Sequence, residues 1–369
     1  MGQSPESTSY NSDKQGVPFY QGNADFGAVY PNPRIWCNKP IKLAKENDIL
    51  ISVRAPVGAL NFSKEECCIG RGLAAITLDS NDFLLEFIYW SLRTGVKELQ
   101  SKSTGSTFKS INKKTLEEVR IPKISLKEQK DIIRNLTLLT NILAKYKHEI
   151  VFLDELVKAR FVEMFGDVGM GLFNYQTCKL GDVAKVGSSH RVFTTEFVES
   201  GIPFYRGTEI GELANGKKPI NPYYISEEHY KRLAKDETKP LIGDLLMPSI
   251  CNKGQVWMVD SEEPFYYKDG RVLCISPNKE VFNSRFLQYF MREKTLVEYP
   301  KIGSGSTFAE FKIFLLKDMD VLVPPLELQN QFASFVEEID KSRLLNICLK
   351  SLVESVLKIR IFSEYKKSS

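Results

Sequence analysis

A chain of 369 residues that is 43% hydrophobic and 26% charged is long enough for two cores, and no apolar run reaches membrane-spanning length. Without a signal-peptide pattern at the N-terminus it is read as cytoplasmic; seven cysteines with no Cys-x-x-Cys pair and only three histidines argue against a disulfide framework and a zinc site. The net charge of +4 permits nucleic-acid binding without requiring it, so the placement of lysine and arginine matters more than their sum.

Residues 1–125 read as a mixed α/β globule. Pro18-Phe-Tyr-Gln21, Asp48-Ile-Leu-Ile-Ser-Val53, Leu73-Ala-Ala-Ile-Thr-Leu78 and Glu118-Val-Arg-Ile121 have the β-branched content and flanking breakers of short strands. Phe83–Leu99 has helical spacing, with Leu84, Phe87, Ile88, Ser91 and Leu92 on one face. The segment from Lys97 to Lys114 then carries Lys97, Lys102, Lys109, Lys113 and Lys114 against one acid, Glu98, around a Ser-Thr-Gly-Ser-Thr turn.

A long helix follows over 126–166. Ile132, Leu136, Leu139, Leu143, Tyr146, Ile150, Leu153 and Val157 alternate by four and three, which holds one seam along the rod. Ser125 with Glu128 predicts a capping box, and Gly166 a stop. At 1.5 Å per residue such a helix is about 60 Å long, more than one small globule covers, so the seam needs a partner helix.

Residues 172–325 form a second globule that opens with Lys179–Val186 as a strand and includes a helix over Asn283–Glu298; 326–366 form a second long helix. Phe332, Val336 and Ile339 continue its seam, Arg343, Asn346 and Lys350 then interrupt it, and Leu345, Leu349, Leu352, Val356 and Ile359 predict a resumed stripe one residue out of step.

The two halves are copies. Gly105-Ser-Thr-Phe108 recurs as Gly305-Ser-Thr-Phe308 at an offset of 200, which also pairs Gly70-Arg71 with Gly270-Arg271, Leu126 with Leu326 and Gln129 with Gln329. Asp48 and Gly58 pair with Asp244 and Gly254, and Gly16-Val-Pro-Phe-Tyr-Gln-Gly22 with Gly201-Ile-Pro-Phe-Tyr-Arg-Gly207. The expected fold is therefore α+β: two homologous mixed α/β heads separated by a long antiparallel two-helix coiled coil with pseudo two-fold symmetry. Lys179–Val186 has no twin in the first copy. Either the chain's true start lies upstream of Met1, or a sheet edge is left open there.

No constellation of catalytic residues emerges. Asn221-Pro-Tyr-Tyr224 is similar to the base-binding loop of amino-methylating DNA methyltransferases but lacks the second proline and a Gly-rich cofactor loop, so it reads as a turn beside a strand. The Gly-Ser-Thr turns could cradle a phosphate through backbone amides; no Walker lysine follows them. His148 reads as a solvated helix residue.

Gly2-Gln-Ser-Pro-Glu-Ser7, Asp48–Gly58, Ile69-Gly-Arg-Gly72, Gly105–Phe108, Leu126-x-x-Gln129 and Phe161-Val-Glu-Met-Phe-Gly166 together resemble the specificity (S) subunits of type I restriction-modification systems. The resemblance implies two target-recognition domains, each reading half of a split double-stranded DNA sequence. It also implies two methyltransferase (M) subunits using S-adenosylmethionine and restriction (R) subunits using ATP and Mg, with no catalytic residue, cofactor or metal in this chain. From position and charge, the expected DNA contacts are Arg54, Lys102, Ser106, Thr107 and Lys109 in the first head, and His190, Arg191, Arg206, Lys253, Lys301, Ser306 and Thr307 in the second. Arg71 and Arg271 read as structural. The outer helix surface, with Lys145, Lys147, Glu149, Asp154, Glu155, Lys158 and Arg160, is expected to dock the methyltransferase subunits. The alternative is a coiled-coil scaffold joining two protein-binding heads, which leaves the matched lysine-rich turns without a purpose.

Overall fold

Asp48 and Asp244 close the same turn in the two copies. In the computed structural model the Asp48 carboxylate accepts the Lys45 amide at 2.8 Å, and the Asp244 carboxylate accepts the Leu241 amide at 2.8 Å. Asn47 and Gly243, which precede them, both adopt positive φ (66° and 93°), a conformation that asparagine and glycine tolerate. The structure describes residues 1–101, 103, 109–235, 238–302 and 309–366, with backbone only from 354 onward. Contacts divide the chain into two units, one of Met1–His148 with the stretch from Ile347 on, the other of Glu149–Asn346.

In the first unit, strands β1 (Tyr10–Asn11), β2 (Val17–Tyr20), β3 (Ile35–Cys37), β4 (Leu43–Ala44), β5 (Ile49–Ser52), β6 (Leu60–Phe62), β7 (Cys67–Ile69) and β8 (Leu73–Ile76) precede helices α1 (Leu85–Ser101), α2 (Lys113–Glu117) and α3 (Leu126–Phe165), whose residues from Glu149 on belong to the second unit. One sheet has the order β1-β3-β2-β7-β4, the other β6-β5-β8. The apolar run of β5 is explained by burial on both faces: Leu50 joins Tyr20, Cys67 and Leu73 in one core, while Ile51 joins Val53, Val57, Leu99 and Ile111 in another. Gly58 is required by φ +93° and by α1, since a Cβ there would stand 2.7 Å from Val96 Cγ1.

The second unit contains β9 (Gly166–Asp167), β10 (Leu172–Phe173), β11 (Thr177–Lys179), α4 (Leu180–Val183), β12 (Ala184–Gly187), β13 (Ile202–Tyr205), α5 (Gly207–Ala214), β14 (Tyr223–Ile225), α6 (Glu227–Leu233), β15 (Leu245–Pro248), β16 (Trp257–Met258), β17 (Tyr266–Tyr267), β18 (Val272–Pro277), α7 (Ser284–Ile302), α8 (Ile313–Lys317), β19 (Asp320–Leu322) and α9 (Leu326–Lys366), whose residues from Ile347 on belong to the first unit. Its sheets run β12-β18-β15-β16, β14-β13-β17 and β11-β19.

Two expected strands differ. Lys179–Val186 is not one strand: the helical turn α4 breaks it, so that β11 pairs with β19 and β12 with β18. Glu118–Ile121 forms no strand, although its counterpart at the offset of 200 runs into β19. The reason is pairing. Val321 is held opposite Cys178 of β11, and the first unit has no equivalent of β11 among its described residues. For the same reason β8 pairs only with β5, whereas β18 pairs with both β15 and β12.

The seam of α3 is the face the spacing predicts. Leu136 and Val157 are buried and the other six seam residues half-buried. Within the second unit the partner is α9: Phe161 and Phe165 enclose Phe332 at ring-centroid distances of 5.4 and 5.7 Å, and Asp154 pairs with Arg343. Earlier residues of α3 thus meet later residues of α9, an antiparallel arrangement. The expected slip in α9 does not occur over the residues whose side chains are described. Arg343, Asn346 and Lys350 stay half-buried in the seam, while Leu345 and Leu352 are 59% and 60% exposed. Ion pairs from Arg343 to Asp154 and Asp340 let a cation hold a position where the spacing predicts an apolar residue. Among the described residues no helix is long and apolar enough to cross a membrane.

Candidate nucleic-acid interface

In the first unit three segments meet at Val53. The Val53 amide donates to the Gly72 carbonyl at 2.9 Å, the Ile111 amide donates to the Val53 carbonyl at 2.9 Å, and Arg54 bridges to Ser110. The nearest basic residues on these segments are Arg54, Arg71 and Lys109. All three are exposed and none forms an ion pair among the described residues. The bridge between Arg54 and Ser110 places Arg54 beside the segment that carries Lys109, one of the expected contacts.

The second unit keeps this backbone and changes its charge. The Ser249 amide donates to the Arg271 carbonyl and the Phe311 amide to the Ser249 carbonyl, at 2.9 and 2.8 Å. Ile250 and Ala309 stand where Arg54 and Lys109 stand in the first copy, and Glu310 replaces Ser110. Glu310 ion-pairs with Arg271 and, at 2.7 Å, with Lys312. Arg271 is thus held in an ion pair; Arg71, lacking that carboxylate, is exposed with no ion pair among the described residues.

The other expected contacts of the second unit are scattered. Arg206 is committed internally: its guanidinium donates to Glu209 at 2.7 and 3.2 Å and lies 4.6 Å from the ring centroid of Tyr223, which itself stacks on Phe197. Burial raises the Glu209 pKa, but hydrogen bonds from the Arg206 side chain and amide outweigh it and hold the carboxyl below its ordinary value. Arg191 is tied to Asp269 at 3.1 Å and Lys301 to Glu298 at 3.0 Å. His190 is exposed, and its amide donates to the Tyr266 hydroxyl at 3.0 Å. Lys253 is exposed with no ion pair among the described residues. Lys102, Ser106, Thr107, Ser306 and Thr307, and with them both Gly-Ser-Thr turns, lie outside the described residues.

Two loops carry no expected DNA contact: 27–34, which enters β3, and 215–222, which enters β14 and contains the Asn221-Pro222 turn. Each contains an Asn-Pro step, and neither has an acidic residue. Asn221 adopts φ +56° at the turn that the sequence indicates beside a strand, and Tyr223 directly behind it is covered on one face by Arg206 and on the other by Phe197. Among the described residues no group of three or more His, Cys, Asp or Glu side chains could hold a metal ion.

The chain is thus a duplicated α+β protein whose two units share a backbone frame but differ in surface loops. Residues 5–151 and 174–354 match the type I restriction modification DNA specificity domain, and the chain belongs to that family. It is a specificity subunit of a type I restriction-modification system, a non-catalytic component. Among its relatives in Methanocaldococcus jannaschii, the MjaX specificity subunit is 45% identical over 143 residues, 39% of this chain and 34% of that one, so this match spans about a third of the relative. The MjaIX specificity subunit is 23% identical over 352 residues, 88% of this chain and 79% of that one. In fold the chain is similar to an S subunit from M. genitalium, with a TM-score of 0.56, 16% identity and coverage of 98% and 91% of the two chains. It is also similar to a chain from a study of type I complex assembly and conformational transition, with a TM-score of 0.60, 14% identity and coverage of 95% and 91%.

Proposed function

We propose that this chain reads a bipartite duplex sequence, one half with each head, and presents its long helices to methyltransferase subunits in the cytoplasm. The observation that carries the reading is the cluster of Arg54, Arg71 and Lys109, three exposed cations with no ion pair among the described residues, carried on one backbone crossing of the first head. A protein that neutralises phosphates with such residues releases counterions, so its affinity falls steeply with salt. Apolar side chains left on the helices, Phe152 at 57% and Leu345 at 59% exposure, support docking by burial more than by the charged face expected from sequence, where Asp154 is already held by Arg343. S-adenosylmethionine, ATP and Mg then belong to the methyltransferase and restriction subunits, and this chain supplies only address and spacing. Co-expression with a cognate methyltransferase subunit, followed by mapping of methylated bases, tests the reading. Two short specific blocks separated by an unspecified gap are expected; one continuous block, or no methylation set by this chain, overturns it.

A further inference from the structure

We propose that loops 27–34 and 215–222 are the paired specificity elements of the two heads, each setting an exposed apolar side chain against base edges between basic residues that hold phosphates. This rests on the duplex-reading function above and assigns it to residues outside the motifs that define the repeat.

The two loops are equivalent in the fold. Loop 27–34 leads into β3, which lies antiparallel to β2 with Ile35 opposite Phe19; loop 215–222 leads into β14, antiparallel to β13 with Tyr223 opposite Phe204. Their sequences nevertheless differ, as elements that read two different half-sites must.

Charge and exposure agree between them. From Leu213 to Ile225 the only charged residues are Lys217 and Lys218, both exposed and without an ion pair among the described residues. From Phe26 to Lys45 there are four bases and no acid; Arg34, the one base inside loop 27–34, pairs with Asp25, while Lys39, Lys42 and Lys45, further along the chain, are exposed and form no ion pair among the described residues. Ile220 is 86% exposed, more than any other large apolar residue described, and Tyr30 in the first loop is 44% exposed. Isolated exposed apolar residues are ordinary. What distinguishes these is that both loops hold them on fixed backbone.

In the first loop the buried Asn61 side chain accepts from the Gly27 amide at 3.0 Å and donates to its carbonyl at 3.1 Å, and the Val29 carbonyl accepts the Phe62 amide at 2.9 Å. In the second, α5 ends on Gly216 at φ +68°, with the Lys217 amide donating to the Glu212 carbonyl and the Gly216 amide to Leu213, both at 2.9 Å. Prolines 219 and 222 flank the tip. A rigid loop holding an apolar side chain in water, with lysines inside it (Lys217, Lys218) or on the segment that follows (Lys39, Lys42, Lys45), gains by burying it against a thymine methyl group while the lysines meet phosphates. A protein partner would be matched better by carboxylates, which neither loop has.

The test uses the full chain assembled with its methyltransferase subunit, and as probe the duplex whose methylated motif the wild-type complex defines. For K217A/K218A the slope of log affinity against log salt should fall by about two, on cognate and random duplex alike. I220A should relax base choice in one half of the methylated motif only, and Y30A in the other half only, with the gap unchanged. If I220A and Y30A complexes methylate the unaltered motif and K217A/K218A keeps the wild-type slope, the assignment is overturned. If these variants lose the methyltransferase subunit, the loops dock protein and the assignment is again overturned. A wild-type complex that methylates no split motif would instead overturn the underlying function.

Discussion

Gln129 and Gln329 make the same three hydrogen bonds, 200 residues apart. Gln129 Oε1 accepts the Leu84 amide at 2.8 Å, and its Nε2 donates to the carbonyls of Asp82 and Ile124 at 2.8 and 3.0 Å. Gln329 accepts the Asn283 amide at 3.0 Å and donates to Val281 and Pro324 at 2.9 and 2.8 Å. Both side chains are fully buried. Each locks the first turn of a long helix to the start of the shorter helix of its head, using backbone groups that a helix terminus leaves without partners.

Replacing this glutamine leaves those groups buried and unpaired, at about 1–3 kcal/mol each. Gln129→Met should therefore destabilise the first unit in urea denaturation. Gln129→Glu should be worse at neutral pH, because a carboxylate cannot donate to two carbonyls, and the gap should narrow on acidification as a proton restores one donor.

Arg343 sits in the seam of α9 with its Nε lacking a hydrogen-bond partner, held by Asp154 and Asp340. Exchanging a partly buried ion pair for a packed apolar side chain is often neutral or stabilising. Arg343→Leu should leave the melting temperature unchanged or raise it. A clear drop would mean that the cation, and not the seam, organises the helix pair.

Truncating the aromatic anchor of α3 should have the opposite sign. Phe161 is 1% exposed and packs on Phe286, Tyr289 and Phe332. Phe161→Ala should cost the second unit about 3–5 kcal/mol, read from the denaturation midpoint.

The Arg206–Glu209 pair predicts a pH dependence. Because the Glu209 pKa is depressed in the folded state, its contribution is fully present above the unfolded glutamate value of about 4.3 and is lost as pH falls through the lower folded value. Melting temperatures of Glu209→Gln should be lower than wild type at neutral pH and converge with it in acid. Curves that stay parallel at all pH values would refute the ionic role.

Thiol labelling offers a check on the cores. Burial pushes the Cys67 and Cys251 thiols up to about 11 and Cys274 up to about 12, and Cys37 and Cys68 are also buried. Cys348 is exposed and Cys178 partly so. A soluble alkylating reagent at pH 8 should modify Cys348 first, located by peptide mass spectrometry; early modification of Cys67 or Cys274 would contradict the packing.

The sequence by itself determined the duplication, the seam of α3 and the repeated Asp, Gly and Gln positions, because each follows from local spacing or from a single backbone requirement. Ser125 and Glu128 form the capping box their spacing indicates, with the Ser125 amide donating to Glu128 at 2.9 Å. Only the tertiary structure decided which cations lack an ion pair among the described residues. Arg54, Arg191, Arg206 and Arg271 are alike in sequence, but the last three lie beside Asp269, Glu209 and Glu310, and two of those carboxylates come from segments distant in the chain. The fate of Glu118–Ile121 was likewise beyond local reading, since a strand exists only where another segment supplies its hydrogen bonds. The same holds for the exposed tips at Tyr30 and Ile220: composition counts apolar residues, and only the folded chain shows which of them were left in water.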